Sequence, residues 1–139
     1  MLNVAQGKEI ILHVKNDMDV LGEMVRFVAE RGVNVLAVRS DVEQDICTLR
    51  LITDDNLRTC DILQEHAYSP VEESVVVLDA PHKPGMLKKL CSRLGEEGID
   101  ILSLYATASD KDSHCLMVLR TTNDARAIVA LSEFVVEYA

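Results

Sequence analysis

Residues 9–40 align with residues 75–106 at a constant offset of 66: Leu12 meets Leu78, Leu21 meets Leu87, Glu30 meets Glu96, Gly32 meets Gly98 and Leu36 meets Leu102. Beyond them the offset becomes 68, pairing Cys47 with Cys115, Leu51 with Leu119, Thr53 with Thr121, Arg58 with Arg126, Leu63 with Leu131 and Glu65 with Glu133. One unit is therefore used twice. A chain of 139 residues has room for two small units, and folding would bury roughly 70% of its extended surface. Its composition, 48% apolar and 27% charged with six Gly and three Pro, is that of a globular protein rather than a disordered or collagenous one.

Each copy reads as strand, helix, strand, strand, helix, strand. Ile10, Leu12 and Val14 alternate, as do Val75 and Val77 within a near-continuous apolar run, which suits strands. The first helices carry Leu21, Met24, Val25 and Val28, and Leu87, Leu90, Cys91 and Leu94, the apolar stripe of a helix lying on a sheet. Both end at a glycine, Gly32 or Gly98, where a left-handed residue costs least. Second strands are expected at 33–38 and 99–104. Third strands place Cys47, Leu49 and Leu51, or Cys115, Met117 and Leu119, on one face. The connecting turns fall on Asp41–Gln44 and on Ser109-Asp110-Lys111-Asp112. Shorter second helices carry Leu57, Cys60 and Leu63, or Ala125, Ile128 and Leu131. Asp54, Asp55 or Asn56 supplies one N-cap, and Asn123 or Asp124 the other. Fourth strands are expected at 67–71 and 134–138.

A βαββαβ unit is the ferredoxin-like, split-βαβ arrangement, an antiparallel sheet with two helices on one face. The expected fold class is thus α+β, with one unit over 1–72 and the second over 73–139. Val71-Glu72-Glu73-Ser74 leaves no flexible linker between them. Apolar residues on both strand faces require that the second face be covered or the sheet extended, which pairing of units would supply.

Fourteen Lys and Arg against 23 Asp and Glu leave a net charge of −9, which disfavours a nucleic-acid backbone or an anionic membrane as partner. Trp is absent, so stacking platforms for bases or sugars are not expected. Residues Met1 to Glu9 show no basic start followed by an apolar run, and no stretch approaches 18 apolar residues, so a soluble, cytoplasmic protein is expected. Cys47, Cys60, Cys91 and Cys115 lie in apolar periodic segments and form no C-x-x-C, which reads as reduced, buried thiols. His13, His66, His82 and His114 lack metal-ligand spacing, and adjacent His114 and Cys115 point to opposite strand faces. Glu72-Glu73 and Glu96-Glu97 are adjacent rather than convergent, which is solvated charge and not an acid/base pair. Gly95-Glu96-Glu97-Gly98 matches a G-x-x-G loop, but its two glutamates would repel phosphate. No enzyme activity and no cofactor is expected, since no nucleophile and base share a credible spacing.

The connection from first strand to first helix in the second copy, Leu78-Asp79-Ala80-Pro81-His82-Lys83-Pro84-Gly85-Met86-Leu87, is the richest candidate for chemistry. Pro84 fixes φ before the helix, and Gly85 lets a ligand approach the backbone. A helix N-terminus offers orphan N–H donors and partial positive charge, so a carboxylate fits there; equally, Pro-Gly by itself makes a tight turn. This loop, followed by a helix and Glu97-Gly98-Ile99-Asp100-Ile101, closely resembles the ACT domain family. The resemblance covers residues 75–139 well and residues 9–72 in layout. It implies βαββαβ modules binding small regulatory ligands, usually amino acids, between the loop of one domain and the second strand of a paired one.

The family's loop positions fall on His82, Pro84, Gly85, Met86 and Leu87, and its polar position after the helix-terminal glycine falls on Asp100, beside Ile101. Family members often carry Asn where His82 and Asp100 stand. Copy one has Asn16 and Asn34 there, but Met18-Asp19 in place of Pro-Gly. A carboxylate at Asp19 is a good helix cap that would repel a ligand carboxylate. The resemblance therefore implies an amino-acid-binding homodimer in which copy two receives the carboxylate, and Asn16, Asn34, Asp100 or strand carbonyls hold the ammonium. Asn34 and Asp100 also read as turn-completing residues. The alternative is an interaction module without ligand, a regulatory subunit for a separate metabolic enzyme or transcription factor.

Overall fold

The alternating apolar residues that open each copy form two long strands, β1 (Asn3–Lys15) and β4 (Val71–Pro81), followed by helices α1 (Val20–Glu30) and α3 (Met86–Glu96). A hairpin of β2 (Val35–Glu43) and β3 (Ile46–Thr53) leads to α2 (Asn56–Glu65); β5 (Ile101–Ser109) and β6 (His114–Thr121) lead to α4 (Asp124–Tyr138). The structure, a computed structural model, describes residues 3–17, 19–81, 83–109 and 114–138.

The chain divides into two compact units, Lys8–Glu73 and Met1–Gly7 with Ser74–Ala139. The strand order is β2-β3-β1-β4 in the former and β1-β4-β6-β5 in the latter. The hairpins and the β1–β3 and β4–β6 pairs are antiparallel, with Leu12 opposite Leu49 and Leu78 opposite Met117. Both units thus have the ferredoxin-like α+β fold expected from the repeat.

The fourth strands differ from expectation. Residues 134–138 continue α4, because Ala127, Ala130, Leu131 and Phe134 are all buried at helical spacing. The place beside β4 in that unit is filled by Asn3–Gly7, with Val4 packed on its core. Residues 67–70 precede the strand, with Ala67 at φ 65, and β4 begins at Val71. A cut between 72 and 73 therefore assigns the first seven residues to a different half than packing does. Gly7 permits a close strand approach: a Cβ there would sit 2.8 Å from Cγ2 of Val77.

Copy equivalence holds at the level of single hydrogen bonds. After α1, Val33 N–H donates to Val28 C=O at 3.1 Å and Gly32 N–H to Ala29 C=O at 3.0 Å; after α3, Ile99 N–H donates to Leu94 C=O at 2.9 Å and Gly98 N–H to Gly95 C=O at 3.0 Å. Gly32 and Gly98 have φ 76 and 70, so both helices close with the left-handed glycine cap. Of the possible N-caps, Asp55 accepts from Arg58 N–H and Asn123 from Arg126 N–H, each at 3.1 Å. The neighbouring Asn56 and Asp124 instead accept from Thr53 and Thr121. The β2–β3 turn is tighter than expected, two residues with φ 50 at Gln44 and 65 at Asp45, as a type I′ hairpin requires. The turn expected over 109–112 lies largely outside the described residues.

Met24 and Val28 in α1, and Met86, Leu90 and Leu94 in α3, face the cores; each fully buried side chain of this size contributes about 1.5–3 kcal/mol. The stripes are narrower than the sequence suggested, for Leu21, Leu87 and Cys91 are exposed. Cys47, Cys60 and Cys115 are buried free thiols as expected, and Cys91 is the correction. On the strand faces away from the helices, Ile11, Ile52, Val75 and Val118 are also buried. Glu9 is wholly buried in the Lys8–Glu73 unit and takes a 2.9 Å ion pair from Arg50.

Candidate functional site

Gly85 is the N-cap of α3 with φ 86 and ψ −7, a conformation that glycine adopts at least cost. Its C=O receives Lys89 N–H at 3.1 Å, and Met86 N–H donates back to Lys83 C=O at 3.2 Å, so the turn closes on its own backbone. No side chain caps the helix. The amides of Leu87 and Lys88 are among the donors that a helix start leaves without an intrahelical partner. A Cβ built on Gly85 would meet nothing within 4 Å, so the turn faces open space.

Gly85 lines a cavity of about 390 Å³. It is lined by Pro81 at the end of β4, Lys83 and Gly85 of the loop, Met86, Leu87 and Lys88 of α3, Leu104, Ala106 and Thr107 of β5, and Cys115 and Met117 of β6. Leu104 pairs with Leu119 and Ala106 with Met117 across the hairpin, which places these β5 residues on the helix-bearing side. β5 is the last strand of the sheet, so one side of the cavity is an open sheet edge. Burial, and secondarily the charge of Asp79, pushes the Cys115 thiol above its ordinary range, so it lines the cavity as a neutral, soft group.

The sequence-derived positions divide. Pro84, Gly85, Met86 and Leu87 lie together at the loop and helix start, and three of them, Gly85, Met86 and Leu87, line the cavity. His82 lies outside the described residues. Asp100 and Ile101 sit beyond the other end of α3, an eleven-residue helix of roughly 16 Å, and do not line the cavity. Asp100, just before β5, is paired with Thr122, just after β6: its N–H donates to Thr122 Oγ1 at 3.0 Å, and its C=O accepts from Thr122 N–H at 3.0 Å. Asn34 does the same with Asp54, donating to Oδ1 at 3.1 Å and accepting from N–H at 3.0 Å. Asn16 is exposed and donates its N–H to Asp45 C=O at 2.8 Å.

Copy one repeats the loop conformation without the glycine. Asp19 has φ 71 and ψ 0, makes no side-chain cap and accepts Glu23 N–H on its C=O at 2.8 Å. The capping role expected of its carboxylate is therefore absent. The cavity beside this loop, about 370 Å³, is lined by His13, Val14, Lys15, Asp17, Val20 and the 67–69 segment, and not by the positions equivalent to Leu104 and Ala106. Tyr68 there has its hydroxyl pushed up by burial and then by Glu23.

Sequence reasoning missed Pro81, Lys83, Lys88, Leu104, Ala106, Thr107, Cys115 and Met117. The lysines adjoin the loop in the chain. The strand residues were legible only as inward positions of an alternating pattern, and their meeting with the loop is tertiary. Among the described residues, no three His, Cys, Asp or Glu side chains gather as a metal site, and no helix is long and apolar enough to cross a membrane.

Solved structures are similar over nearly the whole length. The crystal structure of protein BT0572 from Bacteroides thetaiotaomicron matches with TM-score 0.86 at 25% identity, covering 94% of this chain and 89% of that one. The regulatory subunit of aspartate kinase from Thermus thermophilus matches with TM-score 0.67 at 13% identity, covering 94% and 95%. A structure of the aspartokinase alpha and beta subunits matches with TM-score 0.66 at 18% identity, also covering 94% and 95%. The chain has the tandem ACT fold. No family model matches this chain, and no curated protein is significantly similar to it in sequence. Several of the structures sharing its fold are regulatory subunits or domains of aspartate kinase.

Proposed function

We propose that this chain is a non-enzymatic regulatory protein that binds an amino acid by its carboxylate at the Gly85 turn. The observation that carries the reading is the left-handed Gly85 turn opening onto a 390 Å³ cavity whose far side is the edge strand β5. The amide donors of the helix start and the ammonium groups of Lys83 and Lys88 favour an anion there. A second copy docking along β5 would close the site, making the ligand-bound form a homodimer. A ligand that binds the paired state more tightly shifts the population toward it by that difference in affinity. Copy one serves the fold, since Asp19 places a carboxylate where the ligand's would lie.

A second reading is favoured by one observation: Leu36, Val38 and Val42 along β2 are large, apolar and about half exposed. That surface suits a regulatory subunit that docks on a separate metabolic enzyme or regulator and needs no ligand. Calorimetric titration with the twenty amino acids, on the native chain and on Gly85→Asp, separates the two. The first reading expects saturable binding by the native chain and its loss in the variant. At a hundredfold excess over Kd, binding stabilises by about 2.7 kcal/mol, a rise in Tm of roughly 8 °C. Absence of heat and of any Tm shift across the panel leaves only the docking module.

A further inference from the structure

Resting on the reading of the Gly85 cavity as a ligand site, we infer from its lining that the ligand is a carboxylate with an aliphatic tail, and that polar or charged side chains are excluded. The chain has 23 Asp and Glu, yet none lines this cavity among the described residues. Its charged lining residues, Lys83 and Lys88, lie on either side of Gly85 in the chain. Beyond them the lining is hydrocarbon and sulfur: Met86, Leu104, Ala106, Cys115 and Met117, with Thr107 as the one neutral polar side chain. Cys115 joins the apolar set because burial holds its thiol neutral.

The positive charge of the lining therefore comes from the loop and the first turn of α3, while β5 and β6 contribute hydrocarbon, sulfur and one hydroxyl. A ligand that matches is itself polarised, with an anionic head at the lysines and a tail along the sulfur-lined floor. The volume lies near the bottom of the roughly 300–1,000 Å³ span of small-molecule sites, so the guest is small. Once a second copy covers the open edge, a second carboxylate, an ammonium or an amide facing these residues would lose its hydration without gaining a partner from them. The α-ammonium of an amino acid meets no carboxylate in this lining either. Hence the shared chemistry is an aliphatic carboxylate, supplied by an aliphatic amino acid or by the corresponding 2-oxo acid.

Affinities measured by calorimetry on the full chain test this with butyrate and hexanoate, with leucine and 4-methyl-2-oxopentanoate, and with aspartate and lysine. Each methylene that enters the trough tightens binding about fourfold, so hexanoate should bind roughly 15-fold more tightly than butyrate. Leucine, its 2-oxo acid or both should bind at least roughly 100-fold more tightly than aspartate or lysine. Whichever of the pair is tighter identifies the source. Ala106→Leu fills the trough from an exposed position and should weaken hexanoate roughly tenfold. Aspartate or lysine binding as tightly as leucine, or no gain from butyrate to hexanoate, overturns the aliphatic class while leaving a site at Gly85. Silence from these acids and from every amino acid overturns the site as well. The chain-length series needs only the native protein, so it decides even if the variant does not fold.

Discussion

The ion pair of Glu9 and Arg50 should respond asymmetrically to removal of either partner. Glu9 has no exposed surface, Arg50 Nη1 lies 2.9 Å from Oε1, and the Arg50 side chain is 17% exposed with Glu73 Oε2 at 4.0 Å. Arg50→Met keeps the aliphatic stem but removes the guanidinium that lies 2.9 Å from a buried carboxylate. Breaking a buried pair in this way costs about 3–5 kcal/mol; the partial exposure of Arg50 places this case near 3. Glu9→Gln keeps the shape and a carbonyl acceptor, and the guanidinium retains solvent and Glu73, so the cost is about 1 kcal/mol. In the double variant the buried charge is gone, and the loss should fall roughly 2 kcal/mol short of the sum of the singles. Urea unfolding followed by circular dichroism at pH 7 gives all three values, provided the slope with denaturant stays constant. If Arg50→Met costs no more than Glu9→Gln, or the two losses add, the pair is not the unit described here.

Gly7→Ala should destabilise by roughly 1–2 kcal/mol, because the new methyl meets the stiff, β-branched Val77 at 2.8 Å; a neutral outcome in the same unfolding assay would remove the close strand approach. Gly85→Ala forces an L-residue to φ 86 with no clash to relieve and should cost about 1 kcal/mol, whereas Asp19→Gly trades left-handed strain against unfolded-state entropy and should lie within about 0.5 kcal/mol of native. A thiol-reactive dye should label Cys91 rapidly in the native chain and the buried Cys47, Cys60 and Cys115 only on unfolding; fast labelling of a second cysteine contradicts this burial. Cys60 is pushed up to about 11 from 9.0 by burial and then by Glu72, so the native state favours the neutral thiol. That stability is complete below pH 9 and is lost as pH rises toward 11; Cys60→Ala should make the decline shallower, and an unchanged pH profile refutes the assignment.

The repeat made most of the architecture legible. Left-handed glycines at Gly32 and Gly98, caps 68 residues apart at Asp55 and Asn123, and the alternating strands are local patterns, and local hydrogen bonding realises them. The second copy's terminal segment misled because Phe134-Val135-Val136 suits a strand by composition. Its alignment with Ala127, Ala130 and Leu131 as a helical stripe becomes decisive only once Asn3–Gly7 occupies the place beside β4. At the site, Gly85 announced itself because a positive φ before a helix has a residue signature. Asp100 and Asn34 were drawn in by position in the repeat, and the structure pairs their backbones with Thr122 and Asp54 beyond the neighbouring strand.

The amino-acid order alone determined that one repeat unit is used twice and that the second copy has a glycine turn at the start of its first helix. Those features depend on residues within a few positions of each other, whose torsions and hydrogen bonds need no distant partner. Only the tertiary structure decided that the opening strand serves both units and that Leu104, Ala106, Cys115 and Met117 meet the Gly85 turn. Such contacts join segments roughly 20–70 residues apart, and an alternating strand presents the same pattern whichever neighbour it pairs with.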